Sequence, residues 1–325
     1  MKSLFQYIYL YRPLLAFIFV FGVCYSSSSV AQIQADPENL GTLGIQKFDT
    51  RTLSMGSATL ADVYGRASIG VNPSLSGLYE SSSDLQINGY HNWDHNLMQF
   101  NLTLPTMQAG GHHITARLGL IQAGSNSFNY LGSPTLPEPE LDQYQAAFAY
   151  AYALNKEFSV GLLQNISYTS NNTAQYWTYS SDFGIVYAPE KSITYGLSFR
   201  GLGRETTYEI IETGETTLGS ALSTQSLEVG ATVRFPTEKR TYLSISFANE
   251  KRFGEDGLWY KGGIELLPYS FIAVRSGAMF NFSESVYIPR FGLGYNAKFV
   301  RLDYMVAPKK FSDEHFHQIG LTVKF

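Results

Sequence analysis

The stretch LEVGATVRFPTEKRTYLSISFA, residues 227–248, decides the fold class of this chain. Apolar and polar residues alternate on both sides of PTEK, which is the pattern of β-strands with one apolar and one polar face. In the first half, the apolar face consists of Leu227, Val229, Ala231, Val233 and Phe235. The stretch therefore predicts two adjacent strands joined by a short turn. Alternation alone leaves open a soluble sandwich, whose apolar faces would point inward.

The same alternation recurs from about residue 85 to the end and predicts about fourteen strands. Most are about nine to eleven residues long, which is the length that a tilted strand needs to cross a bilayer. The predicted strands lie near residues 85–92, 95–105, 113–123, 143–154, 157–168, 177–188, 192–201, 224–235, 240–249, 257–267, 270–279, 287–296, 298–306 and 315–325.

The connections between these strands alternate in length along the chain. The long ones lie at residues 124–142, 169–176, 202–223, 250–256, 280–286 and 307–314. The short ones lie at residues 155–156, 189–191, 236–239, 268–269 and 297. Outer-membrane barrels have this asymmetry, because their extracellular loops are long and their periplasmic turns are short. The sequence therefore predicts an all-β fold, a transmembrane antiparallel β-barrel of about 14 strands.

The composition of the 325 residues excludes several classes of protein. Only 15% are charged, against about 25% in an average soluble domain, while 15% are aromatic. Low charge with many aromatic residues argues against disorder. Beyond the N-terminus, no run of about eighteen apolar residues indicates a membrane-spanning helix. The net charge of −4 gives no basic surface for nucleic acid, so no nucleic-acid partner is expected.

The N-terminus has the features of an export signal. A positively charged start precedes the apolar stretch 14–23, and small residues ending at Ala31 form a suitable cleavage site. We expect a signal peptide over residues 1–31. The alternative is an uncleaved anchor helix, for which the apolar stretch is short. Cys24 lies within this segment, so the mature chain is expected to contain no thiol. The predicted location is the bacterial outer membrane.

The last strand carries a second targeting feature. In HQIGLTVKF, residues 317–325, one face consists of Ile319, Leu321, Val323 and Phe325. A terminal strand of alternating apolar residues that ends in Phe resembles the signal that barrel-assembly machinery reads in outer-membrane proteins. The alternative is an edge strand that ends in Phe by chance. The expected surroundings of the barrel are the lipids of the outer membrane.

Residues 32–84 lack sustained alternation and are rich in Gly, Ser and small apolar residues. They are too polar to cross a membrane, and barrels of about this size are often filled. We therefore expect an N-terminal hatch or plug segment in the lumen. The alternative is a periplasmic tail or a strand-closing extension. The predicted organisation is a signal peptide (1–31), a hatch segment (32–84) and an outer-membrane β-barrel (85–325).

One motif in this segment is specific. It consists of Arg51, Met55, Gly56, Ala58, Ala61, Asp62, Asn72, Pro73 and Ser74. It is similar to the N-terminal pattern R…MGGA…ALAD…NPAGL of the PorV/PorQ family and of its fatty-acid-transporter (FadL-type) relatives. Ser57 and Ser74 depart from that pattern. The end of the chain resembles the same family at residues 262–265, 274–277, 291–294, 302–304 and 317–321.

The resemblance implies a monomeric fourteen-stranded outer-membrane barrel whose hatch motif includes Arg51, Met55, Gly56, Asn72 and Pro73. For the PorV/PorQ branch it implies a non-enzymatic role in type IX protein secretion or in attaching cargo to the cell surface. Secretion-machinery subunits and secreted cargo proteins would be the partners. The alternative is a FadL-like channel for hydrophobic small molecules. At 325 residues the chain is short for a FadL-type transporter, which favours the secretion branch.

Candidates for catalysis or metal binding are few. His112-His113 and His315-x-His317 lack a third ligand at a suitable spacing, and no G-x-S-x-G motif is present. We therefore predict no enzymatic activity, metal site or cofactor.

The charged residues expected to face the lumen are Arg117, Asp182, Arg200, Glu228, Arg234, Lys261, Glu265, Arg290, Arg301 and Asp303. They would form either a polar solute path or ion pairs with one another and with the hatch.

Overall fold

The computed structural model describes most of the chain after its first 48 residues, and the architecture is that of these described residues. They are residues 49–63, 70–78, 84–92, 97–123, 141–171, 174–190, 192–210, 216–219, 225–236, 242–308 and 315–324. The predicted signal peptide (1–31), the first part of the predicted hatch (32–48) and Phe325 lie outside them. No helix among the described residues is long and apolar enough to cross a membrane.

Strands dominate the described residues. The helical elements are α1 (Thr50–Ser54), a 3-10 turn (Thr59–Ala61) and α2 (Leu75–Leu78). The strands are β1 (Asp84–Asn92), β2 (Leu97–Thr103), β3 (Met107–Ala109), β4 (His112–Ala123), β5 (Leu141–Ala153), β6 (Phe158–Asn171), β7 (Ala174–Glu190), β8 (Ile193–Ile210), β9 (Thr216–Gly219), β10 (Ser226–Pro236), β11 (Tyr242–Arg252), β12 (Trp259–Tyr269), β13 (Ile272–Asn281), β14 (Val286–Asn296), β15 (Val300–Pro308) and β16 (His315–Lys324).

The strands close into an antiparallel ring. Each strand pairs with the next one in the chain from β4 to β8 and again from β10 to β16. β8 pairs with β10, which joins these two runs. β2 pairs with β1 on one side and with β4 on the other. The first and last strands, β1 and β16, pair with each other and complete the circle. Among the described residues the ring contains fourteen strands, and the short strands β3 and β9 are additions that pair with β4 and β8. The predicted barrel of about 14 strands is confirmed.

The two faces of the barrel wall have opposite polarity. On β14, Phe291, Leu293 and Tyr295 face outward and are each more than half exposed. Buried polar side chains occupy the inward face of the wall, and they include Asn88, Thr115, Gln145, Asp182, Glu228, Thr232, Ser246 and Asp303. A soluble sandwich would have the reverse arrangement, because its apolar faces pack inward. The chain is therefore a membrane β-barrel with an apolar outer surface and a polar interior.

The length of the wall strands fits this environment. β12 contains 11 residues and is typical of the strands from β10 to β16. At about 3.3 Å per residue such a strand extends about 36 Å, and a tilt of about 45° gives a height of about 25 Å. This height matches the apolar band of an outer-membrane barrel.

Two of the predicted long loops are wrong. β6 runs to Asn171 and β7 begins at Ala174, so only two residues separate the strands where a loop at 169–176 was expected. β8 runs to Ile210 and pairs with β9 within the expected loop 202–223. Residues 169–175 are almost all polar, and in 202–210 the face of Leu202, Tyr208 and Ile210 also contains Arg204 and Thr206. The alternation of hydropathy is therefore lost while the pairing of the strands continues.

A proline accounts for the additional strand β3. Pro105 follows β2 and has no N–H to donate to a strand ladder. The wall strand is interrupted at this point, and β3 then resumes pairing with β4, with Met107 opposite Ile114. The sequence pattern predicts the end of a strand at Pro105, whereas the structure has an interruption followed by a further short strand.

Candidate functional site

Two stretches of the chain occupy the interior of the barrel, and we call them the first luminal segment (49–63) and the second luminal segment (70–78). α1 packs against β13–β16, the 3-10 turn against β8, β10 and β11, and α2 against β4–β7. The two segments therefore follow the inner wall around most of the ring. Met55, Leu60 and Asn72 have no exposed surface, and nearly all of their neighbours in the two segments are buried.

Inward-facing glycines make room for these segments. We call them the glycine belt, which consists of Gly161, Gly184, Gly196, Gly263, Gly277, Gly292 and Gly320. A Cβ atom on Gly263 or Gly277 would collide with Met55, and Gly263 lies directly opposite Gly277 in the sheet. Sequence reasoning missed the belt. Glycine at inward positions of otherwise alternating strands is the signal that could have found it, since glycine in a strand often marks the close approach of another backbone.

Arg51 fastens the first luminal segment to the wall. Its Nε and Nη2 atoms donate to the two carboxylate oxygens of Glu265, at 2.8 and 2.7 Å. Nη2 also lies 2.6 Å from Oδ2 of Asp62, so one guanidinium joins both halves of the segment to β12. We call these three buried residues the arginine clamp. Arg51 lies outside the membrane-spanning strands. Burial alone would lower its pKa, but the negative charges of Asp62 and Glu265 have the larger effect. The pKa of Arg51 is therefore raised well above its ordinary value.

Further charges extend the arginine clamp along the wall. Arg275 donates from Nε to Glu265 at 2.5 Å and from Nη1 to Asp303 at 2.8 Å. Arg301 donates from Nε to Asp303 at 3.0 Å. The predicted lumen-facing residues Glu265, Arg301 and Asp303 therefore lie in one buried network with Arg51 of the hatch motif.

Hydrogen bonds to uncharged partners hold the start of the first luminal segment. Asp49 caps α1 by accepting from the N–H of Thr52 at 3.0 Å, and it also accepts from Nε2 of Gln86 at 2.5 Å. The N–H and hydroxyl of Thr50 donate to Oδ1 of Asn88 at 3.2 and 2.9 Å. Gln86 and Asn88 are both on β1, so this strand fixes the position of α1.

The other residues of the hatch motif also lie against the wall. Met55 and Gly56 contact β12 and β13, and Pro73 contacts β6 and β7. Ser57, which departs from the family pattern, has a φ of 58°, a conformation that favours glycine. Its hydroxyl accepts a hydrogen bond from Nη1 of Arg290 at 3.1 Å. Ser57 therefore has a hydrogen-bond partner on the barrel wall, although its backbone conformation is one that glycine usually adopts.

The second luminal segment contains no charged residue. Nδ2 of Asn72 lies 3.2 Å from the carbonyl oxygen of Ile185 on β7 and 3.4 Å from that of Leu197 on β8, and donates to them. Oδ1 of Asn72 accepts from the N–H of Ser74 at 3.1 Å, which closes a local turn before α2. The amide of one side chain thus links this segment to the wall.

A second charged network lies on the wall. Nζ of Lys261 is 3.0 Å from Glu228 and 2.6 Å from Glu250, and Arg200 pairs with the same two carboxylates. The four residues come from β8, β10, β11 and β12, and all are buried. Their mutual pairing satisfies charges that would otherwise be costly to bury in the lumen.

The remaining residues singled out in the sequence lie in separate places. Arg117 is buried beside Gly70, at the start of the second luminal segment. Arg234 is half-buried, with its guanidinium carbon 3.7 Å from the ring centroid of Tyr242. The described residues of the predicted barrel-assembly signal alternate with the buried inward positions of β16, and they are Ile319, Leu321 and Val323.

The histidine pairs are dispersed. His113 is buried on the inner side of β4, whereas His112 is exposed, with Nδ1 2.7 Å from the hydroxyl of Tyr150. His317 is also exposed, with Nδ1 2.6 Å from the hydroxyl of Tyr304. Within the described stretches, no group of three or more His, Cys, Asp or Glu residues is arranged to hold a metal ion.

The closed ring and the apolar outer face define the class of this protein: it is a membrane β-barrel of the outer-membrane type, and residues 49–63 and 70–78 lie against its inner wall. No model of a known protein family matches the sequence, and no curated protein sequence matches it. Solved structures match its fold.

Three transporters have a similar fold. The toluene transporter TbuX of Ralstonia pickettii has a TM-score of 0.59 and 13% identity, with 86% of this chain and 99% of that chain covered. The Pseudomonas putida toluene transporter TodX has a TM-score of 0.56 and 11% identity, with 87% and 98% covered. The monoaromatic hydrocarbon channel CymD has a TM-score of 0.58 and 12% identity, with 88% and 99% covered. At these identities the likeness establishes the fold. It gives no particular support to the PorV/PorQ branch.

Proposed function

We propose that this protein is a non-enzymatic channel of the bacterial outer membrane for small hydrophobic molecules. The likeness of its barrel to three hydrocarbon transporters, over nearly the whole length of each, carries the proposal. The occupied lumen supports it. A barrel that its own chain fills is suited to selective passage, whereas an open polar lumen of this size admits water-soluble compounds.

Apolar side chains on the inner wall offer such a solute a surface to bind. Trp259, Met279, Val286 and Ile288 form a buried cluster on β12–β14. Nε1 of Trp259 donates to Glu255 at 2.9 Å, and the guanidinium carbon of Arg252 lies 4.7 Å from the centroid of its ring, so both polar neighbours of the ring come from the same turn. Apolar clusters are unexpected on the inner face of a polar-lined barrel, and this one favours a hydrophobic solute.

β8 is suited to lateral exit of the solute into the membrane. The register between β7 and β8 shifts on both sides of Ser181, and the pairing of β8 with β10 ends where Arg200 faces Ser226. Gly201 has a φ of 73°, and its N–H donates to Oδ1 of Asp182 at 2.9 Å. The strand is therefore bulged where its pairing on the other side ends, which makes it a weak point in the wall.

A second candidate is protein binding in type IX secretion, with secretion-machinery subunits and secreted cargo proteins as partners. The resemblance of the N-terminal motif to the PorV/PorQ family favours it. However, Arg51 of that motif bonds to Glu265, and Gly56 packs against the backbone of Ala278. A motif that fastens a plug to a wall is expected in a transporter as much as in a secretion protein. We therefore rank the channel first.

Uptake of radiolabelled toluene by intact cells tests the proposal. Cells that carry the protein in their outer membrane are compared with cells that carry an empty vector, and a several-fold higher initial rate is expected. An unchanged rate would reject the channel. Recovery of secretion-machinery subunits or of secreted cargo in a mild-detergent pull-down would then favour the second candidate.

A further inference from the structure

We propose that the solute passes the plug between the second luminal segment and strands β5–β7, and not beside the first luminal segment. This inference rests on the proposed channel function and names the site of passage within it. The ligand that fits this site is an uncharged apolar molecule. Three features of the described residues carry the inference: the apolar contact surface, the distribution of charge between the two segments, and the kind of bonds that each makes with the wall.

Part of the contact between the second luminal segment and the wall is apolar. Leu75 packs with Val63 and with Val186 of β7 in one buried cluster, and Leu78 packs at its edge. A second buried cluster lies on β5 and β6 and consists of Ala147, Ala149 and Leu163. An apolar solute that displaces Leu75 would cover the same wall surface, so little apolar area meets water during passage.

Of the two described luminal segments, only the first carries charged residues. They are Asp49, Arg51 and Asp62. Moving this segment from the wall would separate Arg51 from Glu265 and leave buried charges without their partners, which is strongly unfavourable. Residues 70–78 carry no charge, so their displacement unpairs no charge of this segment.

The bonds of the second luminal segment with the wall are also easier to replace. Asn72 donates to two wall carbonyls at 3.2 and 3.4 Å, and a neutral bond of this kind contributes far less than a buried ion pair. The two segments therefore differ in how firmly they are held. An apolar molecule would open the plug on its neutral side.

Paired cysteines allow each segment to be locked separately. A Cβ on Gly77 would lie 3.0 Å from Cβ of Ser159, and a Cβ on Gly320 would lie 3.1 Å from Cβ of Thr50. A disulfide needs about 3.5–4.5 Å between Cβ atoms, so both pairs require a similar small adjustment. G77C/S159C locks the second luminal segment to β6, and its matched control T50C/G320C locks the first to β16. Cys24, the one native cysteine, lies in the predicted signal peptide.

The experiment measures toluene uptake by cells with each double variant, first oxidised and then reduced with dithiothreitol. We expect the oxidised G77C/S159C protein to lose uptake by about tenfold or more and to regain it on reduction, while T50C/G320C keeps at least about half of the original rate. Loss of uptake in T50C/G320C alone, in both variants or in neither would overturn the inference. If the protein without added cysteines gives no uptake above that of the empty vector, the proposed function fails, and the inference fails with it.

Two single substitutions test the same inference without a disulfide. Leu75→Ala removes apolar bulk from the proposed passage, and Leu60→Ala removes the same bulk from the first luminal segment, where Leu60 packs with Val71 and Ala248. We expect uptake to rise by about two- to threefold in Leu75→Ala only, because a smaller side chain leaves more room between the second luminal segment and β7. Equal uptake by the two variants, or a rise in Leu60→Ala alone, would contradict the inference.

Discussion

Arg51 makes charge-assisted contacts with two carboxylates, Glu265 and Asp62, in a site from which water is excluded. Removing one partner of a buried ion pair lowers the free energy of unfolding by about 3–5 kcal/mol. The expected loss lies near the lower end, because Arg275 still pairs with Glu265 when Arg51 is replaced. We expect Arg51→Met to lower the free energy of unfolding by about 3 kcal/mol and to expose residues 49–63 to added protease.

Arg51→Lys is the matched control for this prediction. It keeps the positive charge but loses the planar fork that reaches both oxygens of Glu265, so an intermediate loss is expected. Urea unfolding in lipid gives the free energy, and limited proteolysis reports on the luminal segment. Equal protease resistance of Arg51→Met and the native protein would contradict the prediction.

Gly56 and Ser57 show how backbone conformation limits substitution. Gly56 has a φ of 62°, and a Cβ there would lie within 2.6 Å of the backbone of Ala278 and Gly262. We expect Gly56→Ala to lower the free energy of unfolding by more than about 2 kcal/mol, because strain in the left-handed conformation adds to the collision.

Ser57→Gly relieves strain at a φ of 58° but removes the hydrogen bond from Arg290, so a net change in the free energy of unfolding within about 1 kcal/mol is expected. Similar unfolding free energies for the two variants would contradict this account.

At the scale of the strand, neighbouring glycines of β12 give a direct test of the glycine belt. A Cβ on Gly263 would collide with Met55, whereas a Cβ on Gly262 would meet only the ring of Phe247, at 4.0 Å. We expect Gly263→Ala to displace the first luminal segment, and Gly262→Ala to leave it in place. Protease accessibility of residues 49–63 in the folded barrel measures the displacement. Equal accessibility in the two variants would show that the wall does not need glycine here.

Alternation in the sequence predicts the membrane-spanning part of a strand well and its ends poorly. On β14, Phe291 and Leu293 face lipid while the residues between them face the lumen, so the pattern is strong. The hairpin of β6 and β7 continues to Asn171 and Ala174, where the sequence is polar and no alternation remains. The interruption at Pro105 is missed for a related reason, because a proline marks a break in a strand but does not show whether pairing resumes beyond it.

At the scale of the whole molecule, the lumen wall is polar and the luminal segments fill it. Removal of residues 49–78 should therefore convert the barrel into an open pore for hydrophilic solutes. Conductance across a planar lipid bilayer measures this, and we expect stable open channels from the deletion variant and closed behaviour from the full chain. A deletion variant that keeps the ring of strands but does not conduct would contradict the prediction.

The sequence predicted more of the fold than of the site. Alternation assigns Glu265 and Asp303 to the inward face, but it carries no information on their partners. Arg51 and Glu265 are separated by 214 positions, and their meeting depends on the register of every hairpin around the ring. The N-terminal motif pointed to a plug but not to a substrate, because its residues contact the wall.

β1 and β16 form the seam of the ring, and this seam dictates an order of events during assembly. The luminal segments precede β1 in the chain, whereas β16 follows every other strand that the structure describes. Until these two strands pair, the sheet has an open side through which the early residues can settle against their glycines. The final pairing then encloses them, so the plug never has to be threaded through the mouth of a finished barrel.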